Sequence, residues 1–359
     1  MFTLTMNPAS EGDALVLAWG DEDHSYHALV DLGRTKDYGT ARPALKEMSN
    51  CELFVISHID ADHIEGAMPL VREAAAPFNP KEVWFNAYHH LVEARDRITA
   101  GLETEPLNAE QGEKLSSGID KFNWKWNSRF ASRIASRGSP EASGEISFAG
   151  LAIRLLSPND ADLAALIPRW MDELEANGLR PFDPDHGMGE PGSDREPLSG
   201  LDVEQLASKR FKEDTAAPNR SSIAFIAEFG GRRVLLGADA HPGIMERALR
   251  ELGASEAEPY PLACFKVSHH GSKANTSPEI LRILDCTAFA FSTDGSRHNH
   301  PDPETIARIL VNDPVRQKVL YFNYAQENTT IWNDPETMRR FNYHCVFPAQ
   351  GEQGLVISI

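Results

Sequence analysis

The sequence predicts an α/β fold, and three observations lead there. Short apolar runs, such as residues 53–56 and 234–236, have the length and character of buried strands. Segments with a helical apolar stripe follow them, as Ile64, Met68 and Val71 do. Between strand and helix the chain repeatedly places histidine and aspartate, and open α/β sheets carry their chemistry at that carboxyl edge. With 359 residues, 41% of them hydrophobic, the chain can bury a sizeable core in one large domain or two small ones. A formal net charge of -18 argues against a surface-wide basic footprint for nucleic acid. It does not exclude a nuclease, because a bound divalent cation reverses the local sign.

Residues 14–19 and 26–31 read as two strands around a polar turn at 20–25, and Asp31-Leu32-Gly33 closes the second. Residues 51–66 organise the rest. A buried strand leads into His58, Asp60, Asp62 and His63, and a helix over 64–73 follows. Two imidazoles and two carboxylates on one tight turn cannot be core features, because each would need a buried partner. Their nitrogens and oxygens are the donors that zinc, manganese and iron take. Residues 82–86 form a strand before Tyr88-His89-His90, which reads as support behind the metal loop or lining of a substrate cleft, in preference to metal ligands. A helix over 108–130 carries the stripe Leu115, Ile119 and Phe122, with Trp124 and Trp126 after it. Residues 146–148 and 151–156 make a hairpin around Ala149-Gly150, and a helix over 160–177 stops at Gly178. Proline and glycine then recur through 180–218, predicting a long loop with a short helix at 202–211.

The second half is regular again. A strand over 221–229, the turn Gly230-Gly231 and a strand over 232–237 lead to Asp239 and a helix over 242–252. A strand at 264–268 ends in His269-His270-Gly271-Ser272-Lys273, and a helix over 277–284 follows. A strand at 287–292 precedes His298-Asn299-His300 and a further helix. Residues 319–323, 329–332 and 354–359 supply late strands. Four strands therefore end in metal-type residues: 58–63, Asp239, His269 with His270, and His300. Cys51, Cys264, Cys286 and Cys345 sit singly, mostly in apolar runs, and read as buried free thiols of a reducing cytoplasm. No apolar run approaches a membrane span, and residues 1–6 lack the pattern of a signal peptide. The expected location is the cytoplasm, with no membrane partner.

This order of residues resembles the metallo-β-lactamase superfamily, and most closely the soluble nuclease-like domain of ComEC-type competence proteins. The residues that carry the resemblance are His58-x-Asp60-x-Asp62-His63, Asn219-Arg220-Ser221-Ser222, the run ending in Asp239, Lys266-Val-Ser-His-His-Gly-Ser272 and Asn299-His300-Pro301-Asp302-Pro303-Glu304. They lie within about residues 10–310, and no hydrophobic channel region accompanies them. The resemblance thus implies a freestanding relative, similar also to versions found with prokaryotic antiviral defence genes. It implies a four-layer αββα sandwich, one domain over 1–359, with a helical insertion at about 91–145 and a loop insertion at about 178–218. It implies a dinuclear centre. His58 and Asp60 would serve one metal, Asp62 and His63 the other, with Asp239 between them. His269, His270 or His300 would complete the second site, and Asp31 would support the loop from behind.

Asp60 stands where the family usually has histidine, and Asn219 near where many members have another. Both changes exchange nitrogen for oxygen, which favours manganese or magnesium over zinc and leaves open one ion or two. Asp62, Asp239 and His270 are the catalytic candidates, and Ser272, Lys273 and Asn219 the candidates to hold substrate. The implied reaction is hydrolysis by metal-activated water, on nucleic acid or another phosphodiester, with a protein partner as one route for delivering substrate. The fold also serves lactonases, thioesterases and non-catalytic metal-binding subunits.

Overall fold

Strict alternation in Phe2-Thr-Leu-Thr-Met6 buries Phe2, Leu4 and Met6 on one face, the period-two signature of a half-covered strand. In the computed structural model, which describes residues 1–21, 23–99, 110–176 and 201–359, this strand lies second in a six-stranded sheet. The spatial order is Leu355–Ser358, Phe2–Met6, Leu15–Gly20, Ser25–Val30, Cys51–Val55 and Val83–Trp84. The first three pairings are antiparallel and the last two parallel. An eight-stranded sheet runs Tyr343–Val346, Lys318–Phe322, Ala288–Phe291, Cys264–Lys266, Arg232–Leu236, Ala224–Phe229, Leu151–Ser157 and Ile146–Phe148. It is parallel as far as Arg232–Leu236 and antiparallel beyond.

The sheets face each other across an apolar layer in which Leu4, Leu17, Val30 and Val55 join Phe225, Val234, Leu236, Cys264 and Ala290. Neighbouring residues on the same strands point outward. Leu29 and Phe54 pack with Leu45, Ile64, Met68, Leu115 and Ile119 from helices over the first sheet. Leu235, Phe265, Phe289 and Leu320 pack with Met245, Leu249, Ile280, Ile306 and Leu310 from helices over the second. Each such side chain contributes ~1.5–3 kcal/mol on burial. The result is the four-layer αββα sandwich that the motif order implied. The free thiols are distributed through these layers: Cys51 outside the first sheet, Cys264 between the sheets, Cys286 outside the second, and half-buried Cys345 against that outer core. Burial pushes the thiols of Cys51, Cys286 and Cys345 up to about 12. Among the described residues no helix is long and apolar enough to cross a membrane.

Several elements differ from expectation for identifiable reasons. The helix expected over 64–73 is two short ones, Ala61–Ile64 and Ala67–Arg72. The break falls at Gly66, where a Cβ would stand 2.1 Å from the Leu32 carbonyl oxygen. The helix expected over 108–130 is described from Glu110 and ends at Lys121. Asn123 then takes a positive φ, and the chain returns in extended form so that Trp126 bridges Val83. The strand expected at 329–332 is instead a helical turn, Glu327–Thr330, capped by Gln326. The long loop expected over 180–218 lies partly outside the described residues. From 201 onward it holds the helices Val203–Ser208 and Ala217–Arg220. The expected stop at Gly178 also lies outside the described residues. The strands Phe2–Met6 and Tyr343–Val346 and the helices Tyr38–Glu47 and Pro335–Phe341 were not anticipated.

Candidate metal centre

The Cys51–Val55 strand delivers its next residues to the edge where both sheets end. Asp60 occupies the N-cap position of Ala61–Ile64 without capping it, and its carboxylate lies 3.6 Å from His58 Nε2. Asp239 follows Arg232–Leu236 through Gly237, where a Cβ would stand 2.2 Å from Ser268 Oγ, and through Ala238 at φ 41°. His269, His270 and Gly271 take φ of 47°, 52° and 91° in succession. Left-handed backbone at two adjacent histidines costs energy and persists only where surroundings enforce it. One enforcing contact is the hydrogen bond from His269 N to Ala238 O, 2.8 Å, which ties this turn to the Asp239 loop.

These loops bring four imidazoles around Asp239. Its Oδ2 lies 3.8 Å from His58 Nε2 and 3.6 Å from His269 Nε2. Its Oδ1 lies 3.4 Å from His63 Nε2 and 3.8 Å from His270 Nε2. Asp62 Oδ2 stands 3.4 Å from His270 Nε2 and 3.9 Å from His63 Nε2. Ligating atoms of His58, His63 and Asp239 lie within 4.8 Å of one another, as do those of Asp62, His63 and His270.

The opposite ring nitrogen of every imidazole has an oxygen anchor. His63 Nδ1 lies 2.8 Å from Asp31 Oδ2, and Asp31 also accepts from Ser57 N and Ser57 Oγ at 2.7 Å. His58 Nδ1 lies 3.0 Å from Ser57 Oγ, His269 Nδ1 3.0 Å from Asn275 Oδ1, and His270 Nδ1 2.9 Å from Ser292 O. Anchoring Nδ1 fixes the tautomer and turns Nε2 toward the shared space. There, His58 Nε2, His63 Nε2, His270 Nε2 and Asp239 Oδ1 are buried and make no hydrogen bond. A buried polar atom left so costs ~1–3 kcal/mol, which a shared cation would offset. The residues present therefore fit a divalent metal.

The electrostatics agree. Burial alone would raise Asp239 and lower His63, His269 and His270, but their mutual attraction outweighs it. His269, His63 and His270 hold Asp239 well below the usual carboxylate range. Asp239, Asp31 and Asp62 hold His63 well above its ordinary value, and Asp13 and Asp239 raise His270 to about 9. In the cation-free protein these imidazoles hold protons that a metal would displace.

Other predicted residues stand apart from this set. The His300 ring lies 5.4 Å from that of His269, and its Nδ1 faces Asp302 at 3.5 Å; burial lowers it to about 4. Asn219 is buried beside His269, where its Nδ2 donates to Asp214 Oδ2 at 2.6 Å while its Oδ1 makes no hydrogen bond. Ser272 Oγ accepts from Ala274 N within its own loop, and Lys273 is exposed with its backbone N–H donating to Asp302. His90 accepts from Ala87 N at the start of the Tyr88–Thr99 helix, and its ring lies 4.8 Å from that of Trp126.

Sequence reasoning missed Asp13, Asp214 and Asn275. Asp214 lies 3.7 Å from His269 Nδ1, and Asn275 Nδ2 donates to Asp239 O at 3.0 Å. Each is a single polar residue with no motif spacing. One signal was readable: Lys266 interrupts a buried strand, and a lysine there requires a carboxylate partner.

No protein-family model matches the chain, and no curated protein does. Among solved structures it is similar to the metallo-beta-lactamase fold protein YhfI from Bacillus subtilis. The two share 9% identity, with a TM-score of 0.38 over 99% of this chain and 98% of that one.

Proposed function

We propose that the protein is a metal-dependent hydrolase acting on phosphodiesters, with nucleic acid as the substrate class. The observation that carries this reading is Asp239, whose two oxygens each face a different pair of imidazole Nε2 atoms. Such a carboxylate can serve two adjacent cation positions, an arrangement suited to in-line displacement at phosphorus. His58, Asp60 and His269 would hold one cation, Asp62, His63 and His270 the other, and Asp239 both. The motif resemblance to the competence-type nuclease-like domain supports the same substrate class.

A divalent cation, when bound, supplies an acidified water and electrostatic relief for an anionic transition state. The chain's residues supply the rest. Burial would raise Asp62, but His63 and His270 beside it hold it well below the usual carboxylate range. It therefore stays ionised at neutral pH and can orient an attacking water. Asp31 and Ser57 hold the His58 and His63 rings in place. Asp60, Asp62 and Asp239 make the donor set rich in oxygen, which suits manganese or magnesium alongside zinc.

The test is a panel of plasmid, single-stranded DNA, RNA and a chromogenic phosphodiester, offered to metal-stripped protein reloaded with zinc, manganese or magnesium. Cleavage that needs added metal and is lost in Asp239→Ala is the expected result. Hydrolysis of a lactone or thioester with no phosphodiester cleaved would replace this reading.

A further inference from the structure

Lys266 sits between Phe265 and Val267 on a central strand, with its side chain on the inner face and 0% exposed. A lysine enclosed there must be paired. Its Nζ donates to Asp13 Oδ2 at 2.7 Å and lies 3.3 Å from Val267 O. Asp13 comes from the other sheet, just before Leu15–Gly20, and is 1% exposed. Its second oxygen, Oδ1, has no hydrogen-bond partner and lies 3.6 Å from His270 Nδ1.

The backbone of the same segment reaches the opposite side of the centre. Asp13 N donates to Asp62 O at 3.3 Å, and Gly33 N donates to Asp13 O at 2.8 Å. Ser292, whose carbonyl anchors His270, donates its hydroxyl to Gly12 O at 3.0 Å. A Cβ on Gly12 would stand 1.9 Å from Asp62 O, so only glycine lets the segment lie this close. Asp62 and His270 arrive on different sheets, and one two-residue segment touches both.

We infer that Gly12, Asp13 and Lys266 form a buried clip that registers His270 against Asp62 and sets how firmly their position holds a cation. This rests on the two-cation reading above. Stability alone does not account for the pair, since two apolar side chains of similar volume often fold as well or better. An apolar pair could not hold a carboxylate against His270. Asp13 and Lys266 are positioning residues that act through His270.

The experiment compares wild type, Lys266→Met and the double variant Asp13→Leu/Lys266→Met. Metal-free thermal unfolding is measured first, and then cobalt uptake by visible absorption and equilibrium dialysis. Lys266→Met should melt earlier, because it strands Asp13 without its partner. The double variant should regain the wild-type melting temperature and bind one of its two equivalents as wild type does. The other should bind about 10–100-fold more weakly, the usual effect of losing a group that orients a ligand. A double variant that binds both equivalents like wild type overturns the clip alone. One that is unfolded also overturns it, because the pair would then be required by the fold itself. Wild type that takes up fewer than two equivalents overturns the two-cation reading and the clip together.

Discussion

Asp31 is fully buried and joins His63 Nδ1, Ser57 N and Ser57 Oγ, so one carboxylate sets the aim of two imidazoles. Asp31→Asn should weaken metal binding by about 10–100-fold while the metal-free fold persists, as read by dialysis and circular dichroism. Unchanged affinity would remove Asp31 from the centre. Proton competition gives a second expectation. Burial pulls His270 down, but Asp13 and Asp239 raise it to about 9. Its contribution to metal-free stability is therefore complete below about pH 6.5 and lost as pH rises through about 9. A cation needs the same Nε2 unprotonated, so affinity should climb across that window with proton release. Calorimetry in buffers of differing ionisation enthalpy measures that release, and uptake without it would contradict the prediction. Residues 58–63 stood out because four donor side chains fall within six consecutive positions. Asp13 and Asp214 did not, because their partners come from remote loops that only the folded chain brings near.

Gln326 shows how local chemistry decides an element. Its side chain accepts from Asn328 N, Thr329 Oγ1 accepts from Gln326 N, and Gln326 Nε2 donates to His300 O at 2.9 Å. The β-branched run Thr329-Thr-Ile suggested a strand, but this cap makes it helical. Gln326→Ala should cost about 1 kcal/mol and lower the melting temperature by roughly 1–3 °C. An unchanged melting curve would show the cap to be dispensable. The hairpins were more legible. Ala149-Gly150 and Gly230-Gly231 both adopt the positive φ that their positions require. Phe2–Met6 carries a plain period-two pattern and was nevertheless missed.

At the scale of the molecule, most strands of both sheets were legible as apolar runs, while Phe2–Met6, Tyr343–Val346 and the pairing of Phe2–Met6 with Leu355–Ser358 were not; that pairing joins segments remote in the sequence. The net charge of -18 also acts at this scale. A polyanionic substrate would meet net long-range repulsion from a chain of this charge. For a polynucleotide, kcat/KM should therefore hold or rise as salt increases from about 20 mM to about 150 mM, where the Debye length shortens to about 8 Å. A steep fall, as from release of counterions by a basic track, would contradict this.

The four thiols lie at different depths, and burial makes all of them poor nucleophiles. An alkylating reagent can therefore reach each one only when its layer opens, so pulsed labelling with mass spectrometry becomes a clock for each layer. Half-buried Cys345 should be modified first and Cys264, between the sheets, last. If Cys51 and Cys286 are modified at different rates, the two helical layers breathe independently. If both keep pace with Cys264, the sandwich opens as one cooperative unit.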